Sequence, residues 1–389
     1  MANGSPRHRA GRTAGAVRTP LTSPGTHQLD ASPLSPFAHV RLGVVMRADL
    51  QAPHEVWGVL NPAVARGRDG ELYLFPRVVA AGNYSRIGIA RVRFDAAGLP
   101  MGVEWLGYAL EPEQPYEKNP KTGGGVEDPR ITFIDPLDCY VMAYTAYGPE
   151  GPRVALAVSH DFFDWRRLGL VRFGAQGRVD FDRLSNKDAA FFPQAVNDPD
   201  GRSALALFHR PSFRVQTATG RRRPMVPDGL RERRDSMWLA YVPLEAAQAD
   251  IAALTVPRKP TFFAGPEQPW ERLKIGGGPA PVLTPHGWLL VYHGVRGRIV
   301  EGVDHQPHVH YSAGVMVLDR WDPRMVRYRS RSPVLQPESD DERYGIVPNV
   351  VFPTGLDPRG DGRIDVYYGM ADFAIGVAQM AVPEQLPGV

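Results

Sequence analysis

Apolar residues in this chain come in short runs of five to ten positions, and the runs return in the same order five times. The clearest set is GELYLFPR at 70–77, CYVMAYTAY at 139–147, ALALFHR at 204–210, GWLLVYHG at 287–294 and RIDVYYGMAD at 363–372. Each alternates or runs apolar and then ends on aromatic, His, Arg or Asp residues. A further apolar run follows each, starting at Arg86, Arg153, Ser236, Tyr311 and Ala374. Another precedes each, starting at Asn61, Glu127, Asn186, Gly276 and Pro348. Short alternating runs broken by Gly, Asp and Pro are antiparallel strands. Self-similarity at a long period marks a repeat architecture, so five sheet-forming units predict an all-β, five-bladed propeller. The repeats fill 61–382 of the 389 residues, which leaves room for a single domain.

Residues 1–36 break the pattern. They are rich in Gly, Pro, Ser and Thr, lack periodicity, and carry four arginines against Asp30 alone. They read as a disordered basic tail, with the propeller domain over 37–389. The run VRLGVVMRA at 40–48 is a candidate for a strand that closes the ring from the N-terminal side. The tail accounts for the whole net charge of +3, because the remaining chain holds 41 basic and 41 acidic residues out of 45 and 42. Nothing in this balance points to nucleic acid. No apolar run is long enough to span a bilayer. Cys139 is the one cysteine, so an internal disulfide is excluded and a reducing, cytoplasmic setting is expected. Its apolar strand argues for an inert buried thiol.

In an antiparallel blade the first strand starts, the second ends and the third starts at one rim. That rim should gather Asn61, Glu127, Asp128, Arg130, Asn186, Lys187, Asp188 and Asn349 from first strands. Second strands add Arg77, Tyr144, Tyr147, His209, Arg210, Tyr292, His293, Tyr368 and Asp372, and third strands add Ser85, Arg86, Arg153 and Asp235. The opposite junctions, such as RGRDG, NDPDG and TPHG, are ordinary turn chemistry. Aromatic rings beside carboxylates and amides suit a sugar, and carboxylates there suit glycosidic cleavage. Glu127, Asp128, Asp188, Asp235 and Asp372 are candidates. The cations Arg77, Arg86, Arg130, Arg153, Lys187, His209 and Arg210 outnumber them. A basic surplus is what a phosphate needs, so phosphate rather than water is the expected nucleophile.

Eight segments in order carry a resemblance: GGGVEDPRIT, YTAYGPEGPRVALAVSHDFFDW, NKDAAFFP, LFHRP, WERLKIGGGPAP, GWLLVYHGV, VPNVVFPTG and YYGMADFAIGVA. Together they resemble glycoside hydrolase family 130, the β-mannoside phosphorylases and their hydrolytic relatives, from about Leu60 to about Met380. The resemblance implies a five-bladed propeller and an inverting phosphorylase that releases α-mannose 1-phosphate. It implies that Asp128 is the lone general acid, acting through the sugar's 3-hydroxyl, and that Asp372 grips mannosyl hydroxyls. Arg153, Lys187 and His209, with Arg86 and Arg210 beside them, match the phosphate site. Asn61, Arg77, Glu127, Arg130, Tyr144 and Tyr292 are the remaining substrate-binding candidates. No cofactor or metal is expected; inorganic phosphate is the co-substrate and an oligosaccharide the partner, with no nucleic acid or membrane and self-association left open. A β-mannoside hydrolase and a non-catalytic glycan-binding propeller are the alternatives.

Two loops are long. SFRVQTATGRRRPMVPDGLRERRD at 212–235 lacks the interleaved aromatics of a nucleic-acid site and reads as a solvated loop or acceptor wall. RGRIVEGVDHQPHVH at 296–310 holds His305, His308 and His310, read as a polar loop rather than a metal site. The two GGG triplets, at 123–125 and 276–278, lack the context of a phosphate loop and read as points of close backbone approach.

Overall fold

A computed structural model describes residues 17–18, 35–119, 123–216, 222–300 and 306–387. The masked part of the 1–36 tail, the tip of the 212–235 loop and His305 lie outside the described residues. Five antiparallel blades form the propeller. Blade 1 comprises Gly58–Arg66, Leu72–Ala80, Tyr84–Phe94 and Pro100–Leu110. Blade 2 comprises Gly124–Ile134, Cys139–Gly148, Gly151–Ser159 and Arg166–Leu170. Blade 3 is built from Ser185–Phe191, Ser203–Ser212, Met237–Pro243 and Arg258–Ala264. Blade 4 has an interrupted inner strand, Lys274–Gly277 and Val282–Thr284, followed by Gly287–Gly297, Val309–Leu318 and Val326–Arg329.

Blade 5 takes Val351–Pro358, Arg363–Met370 and Ala374–Ala381 from the C-terminal end, and its outer strand from the N-terminal end. His39–Arg47 pairs antiparallel with Ala374–Ala381. The run at 40–48 is thus the closing strand. It buries Val45 and Met46, and its Arg41 reaches Glu342 at 2.9 Å. Val17–Arg18 pairs with the outer strand of blade 1 at Val103 and Glu104. Each blade has four strands where the repeat read as three. The outer strands are short or half-exposed, as in Arg166–Leu170 and Val326–Arg329, so they lack the apolar signature that marks the inner ones.

Between blades the cores are continuous sheets of apolar side chains. Cys139, Val141 and Leu156 of blade 2 pack with Phe191, Leu207 and Trp238 of blade 3. Leu289, Val291 and Val315 of blade 4 pack with Val351, Tyr368 and Ala378 of blade 5. Sheets packed in this way bury both faces, which explains runs such as ALALF that do not alternate.

One local device repeats at the inner rim. Where the inner strands of blades 1 to 3 begin, the ladder skips two residues between Leu60 and Ala63, Glu127 and Arg130, and Lys187 and Ala190. The bulged residues Asn61, Asp128 and Asp188 have φ of 44°, 48° and 57°, and Asn349 of blade 5 has 60°. Asn and Asp tolerate the left-handed region better than other side chains, because their short polar groups bond locally. The bulge turns each of these side chains off the strand toward the axis. Strain of this kind costs on the order of 1–3 kcal/mol per residue and persists where the surroundings over-determine it.

Candidate active site

The rim where inner strands begin opens into a two-lobed cleft on the propeller axis. Each lobe has a volume of about 210 Å³, and Arg77, Lys187, Val347 and Asp372 line both. The first lobe adds Trp57, Leu60, Val79, Asn83, Glu127, Tyr147 and Ile346. Asn61, Asp128, Asp188, Arg210, Lys274, His293, Gln306, Tyr311 and Phe352 are in the second.

Asp128 is tied from the two neighbouring blades, 1 and 3. Asn61 Nδ2 donates to its Oδ1 at 3.0 Å, Arg77 Nη1 donates at 3.2 Å, and Lys187 Nζ stands 3.8 Å from Oδ2. Burial would raise its pKa, but Arg77, Lys187, Arg130 and the Asn61 hydrogen bond outweigh burial and hold it at about 2. Arg77 is fully engaged: it also donates to Glu127 at 2.9 Å, to Asn83 at 3.2 Å and to Ser85 at 2.9 Å. Lys187 Nζ lies 3.4 Å from Glu127 Oε2. Asp188 takes Arg210 Nε at 2.5 Å, and Asp235 takes Arg210 Nη1 at 3.1 Å. Arg77 and Arg210 occupy equivalent rungs, opposite Leu60 and Lys187. That is why blades 1 and 3 both send an arginine to the mouth.

Two cleft groups have unspent bonding capacity. Among the described residues no carboxylate is within ion-pair distance of Lys274, whose Nζ sits 5.3 Å above the Tyr311 ring. The ring nitrogens of His293 are buried without a hydrogen-bond partner, and the ring packs 4.4 Å from Phe352. Burial lowers the His293 pKa to about 3, so the imidazole is neutral.

Of the residues expected from sequence, Asn61, Arg77, Glu127, Asp128, Lys187, Arg210 and Asp372 meet in the cleft. Arg130 lies beneath it, fully buried, with Nε donating to Gly278 O at 2.6 Å across the axis. Five others stand elsewhere. Tyr144 and Tyr292 were expected as sugar platforms, but both rings are buried and their hydroxyls donate to Glu117 at 2.6 Å and Glu271 at 2.5 Å. Tyr368 does the same to Glu342 at 2.9 Å. Each of these glutamates also holds an arginine, namely Arg167, Arg329 and Arg41, and accepts two backbone N–H groups of its own capping turn. These tyrosines therefore pin the segment that enters a blade to that blade's second strand.

His209 holds the equivalent place in blade 3. Its ring stacks 4.0 Å from Phe173 and its Nδ1 meets Asn186 at 3.0 Å. Burial holds its pKa at about 3, so it is a neutral core ring rather than a cation for phosphate. Arg153 donates to Leu184 O at 2.8 Å, and Arg86 pairs with Glu111 at 2.9 Å; neither lines the cleft.

The sequence reading missed Lys274, Trp57, Tyr311, Phe352, Ile346 and Val347 as wall residues. Lys274 had a visible signal, since it stands inside the WERLKIGGGPAP segment. Val347 likewise opens the VPNVVFPTG segment, whereas Ile346 stands in none; Gly345 lies so close to Ala371 O that a Cβ there would clash at 2.2 Å, and this contact seats Ile346 and Val347. The 296–310 loop does reach the rim, through Gln306, which closes it by bonding Val300 N and O at 2.8 Å each. His308 is exposed and His310 half-buried on this loop.

The family model described as β-1,4-mannooligosaccharide phosphorylase, glycoside hydrolase family 130, matches residues 30–387. This chain belongs to that family. A 1,2-β-oligomannan phosphorylase of Thermoanaerobacter is 33% identical over 257 residues, 65% of this chain and 67% of its own. The family 130 chain is also 38% identical to a β-1,4-mannooligosaccharide phosphorylase of Ruminococcus albus over 260 residues, 66% of this chain and 63% of the relative. The solved β-1,2-mannobiose phosphorylase of Listeria innocua, in complex with β-1,2-mannobiose, superposes with a TM-score of 0.60 at 22% identity. That match covers 91% of this chain and 94% of the other. A structure reported for family 130 glycoside hydrolases that target β-1,2 mannosidic linkages superposes at 0.58, with 21% identity over 95% of each chain.

Proposed function

We propose that this family 130 member is an inverting β-mannoside phosphorylase. The observation that carries the reading is the division of the cleft. The first lobe offers rings, an amide and aliphatic walls to a sugar; the second offers Lys187, Arg210, Lys274 and a neutral His293 to an oxyanion. The two share Arg77, Lys187, Val347 and Asp372, and Asp128 stands in the second lobe against Arg77 and Lys187. A forked arginine and two lysine point charges suit phosphate geometry, and a neutral imidazole can donate a further hydrogen bond. Relatives named as phosphorylases of β-1,2 and β-1,4 mannosides support the same class of substrate.

In this reading a phosphate oxygen attacks the anomeric carbon as the glycosidic C–O bond breaks, giving α-mannose 1-phosphate. Asp128 supplies the proton that the leaving oxygen takes up, passed through the mannosyl 3-hydroxyl. An acid held at about 2 by these cations has no proton to give at neutral pH. Bound ligands must therefore recharge it. Phosphate does so in part by competing for Lys187, one of the cations that keep Asp128 ionised. No second carboxylate is required, because phosphate is already a nucleophilic anion.

The test is the reverse reaction. α-Mannose 1-phosphate is offered with a panel of acceptors, and released phosphate and the product linkage are measured. Formation of a β-mannoside with release of phosphate is expected. Mannoside cleavage that proceeds equally fast without phosphate would make the protein a hydrolase instead.

A further inference from the structure

We propose that the cleft takes up phosphate and a proton together, and that the proton is seated on Asp372. The inference rests on the phosphorolytic reading above. The cleft's other carboxylates all have cations: Glu127 has Arg77 and Lys187, Asp128 has Arg77, and Asp188 has Arg210. Asp372 differs. Among the described residues no lysine or arginine comes within ion-pair distance of it, although it lines both lobes.

Its placement is built in. Ala371 and Asp372 open the tight turn 371–373 between the second and third strands of blade 5, with φ of 47° and 53°, and Phe373 N–H donates to Met370 O at 2.9 Å. Turns of this kind favour Asn-Gly, so Ala-Asp is a strained choice for the backbone. Gly58 clears the way: a Cβ there would meet Asp372 O at 2.8 Å.

The charged groups that face Asp372 are Arg77 from the second strand of blade 1, Glu127 and Asp128 from the inner strand of blade 2, and Lys187 from the inner strand of blade 3. Burial raises the Asp372 carboxyl to about 6. Arg77 and Lys187 pull against that rise, and Asp128 and Glu127 reinforce it. A phosphate dianion beside Lys187, Arg210 and Lys274 adds negative charge to this balance and claims part of Lys187's pull. Binding one solvent proton to an Asp372 oxygen then relieves a repulsion that Arg77 and Lys187 only partly offset. The neutral acid can donate to a sugar hydroxyl. It also brings a proton into the cleft that holds the ionised Asp128. The charge of Asp128 reinforces the rise at Asp372, so variants are needed to separate the two carboxylates.

The experiment is calorimetric titration of the enzyme with inorganic phosphate, at about pH 8 where free phosphate is the dianion, in buffers of different ionisation heat. Uptake of about one proton per phosphate is expected for the wild type and for Asp128→Asn. It should fall below about half a proton in Asp372→Asn. Uptake unchanged in Asp372→Asn would put the proton on phosphate or Asp128 and overturn the proposal. Phosphate that binds with no net uptake would overturn it too, while leaving the phosphorolytic reading intact. Absence of any binding heat would remove both. Should Asp372→Asn fail to fold, infrared difference spectra of the wild type decide: phosphate must raise a carboxylic-acid C=O band, and its absence sinks the idea.

Discussion

The two lobes of the cleft are built by the same kind of strand junction, yet they carry opposite chemistry. Around the first lobe the charges are spent on one another. Arg77 serves Glu127, Asp128, Asn83 and Ser85, and Lys187 stands between two carboxylates. What remains for a ligand there is the wall of Trp57, Tyr147, Ile346 and Val347. Around the second lobe Lys274 has no carboxylate within ion-pair distance among the described residues, and His293 keeps both nitrogens unbonded. A count of charged residues at the rim misses this difference. What a site can bind depends on which charges are left over after internal pairing.

The comparison can be broken most severely by removing the strand that holds both lobes in place. A chain beginning at Gln51 lacks His39–Arg47 and leaves Ala374–Ala381 as an open edge, with Met380 and Ile375 uncovered. It should unfold or aggregate at room temperature, seen as loss of a cooperative thermal transition. A chain beginning at Phe37 should keep its melting temperature.

Next in size is Asp128→Asn, in the second lobe beside the shared Arg77 and Lys187. A positioned general acid contributes roughly 10²–10⁴-fold, and kcat should fall by that factor while the melting temperature stays within a few degrees. Near-normal turnover would remove Asp128 from the chemistry.

The lobes themselves separate with a pair of variants. Lys274→Ala should raise KM for phosphate about 10–100-fold, as expected for loss of a charged hydrogen bond worth about 1.5–3 kcal/mol, with KM for the mannoside little changed. Trp57→Ala should do the converse. If both variants shift both constants equally, the division into sugar and phosphate lobes is wrong.

Tyr292→Phe sharpens the boundary between cleft and scaffold. It leaves Glu271 Oε1 without its 2.5 Å donor and should cost about 1–3 kcal/mol of stability, with kcat/KM within about twofold. A selective rise in the mannoside KM would restore the sugar-platform role that the sequence predicted.

The smallest effect is on acid stability. His209 and His293 are held neutral in the fold, with pKa values near 3 against about 6.5 when unfolded. The unfolded chain therefore binds protons that the fold refuses, and the pair lose stability as pH falls from about 6.5 toward about 3. Asp372 works the other way: its raised pKa means that the fold binds a proton below about 6 that the unfolded chain does not yet take. Two groups against one predict a net decline in melting temperature between about pH 6.5 and pH 5, reduced in His209→Phe.

Much of this molecule was legible along the chain. Apolar runs returning five times gave the blades, and the polar residues at one end of them gave the mouth. Asp128, Lys187 and Arg210 stand there because strand direction alone dictates it. The closing strand showed itself as an apolar run outside the five repeats. Tyr144, Tyr292 and His209 were misplaced for one reason. A strand-end ring can face the axis or the neighbouring segment, and the choice rests on Glu117, Glu271 and Phe173, which are 27, 21 and 36 positions away. No period in the sequence encodes a partner at that distance.

By itself, then, the sequence determined the repeat, the rim and the kinds of group available, because these follow from alternation and strand order within a blade. Tertiary structure alone decided which charges cancel. The pairing of Arg77 with blade 2, and the lack among the described residues of an ion-pair partner for Asp372 and Lys274, arise where five blades converge on one axis. Electrostatic interaction falls with distance in space, not along the chain.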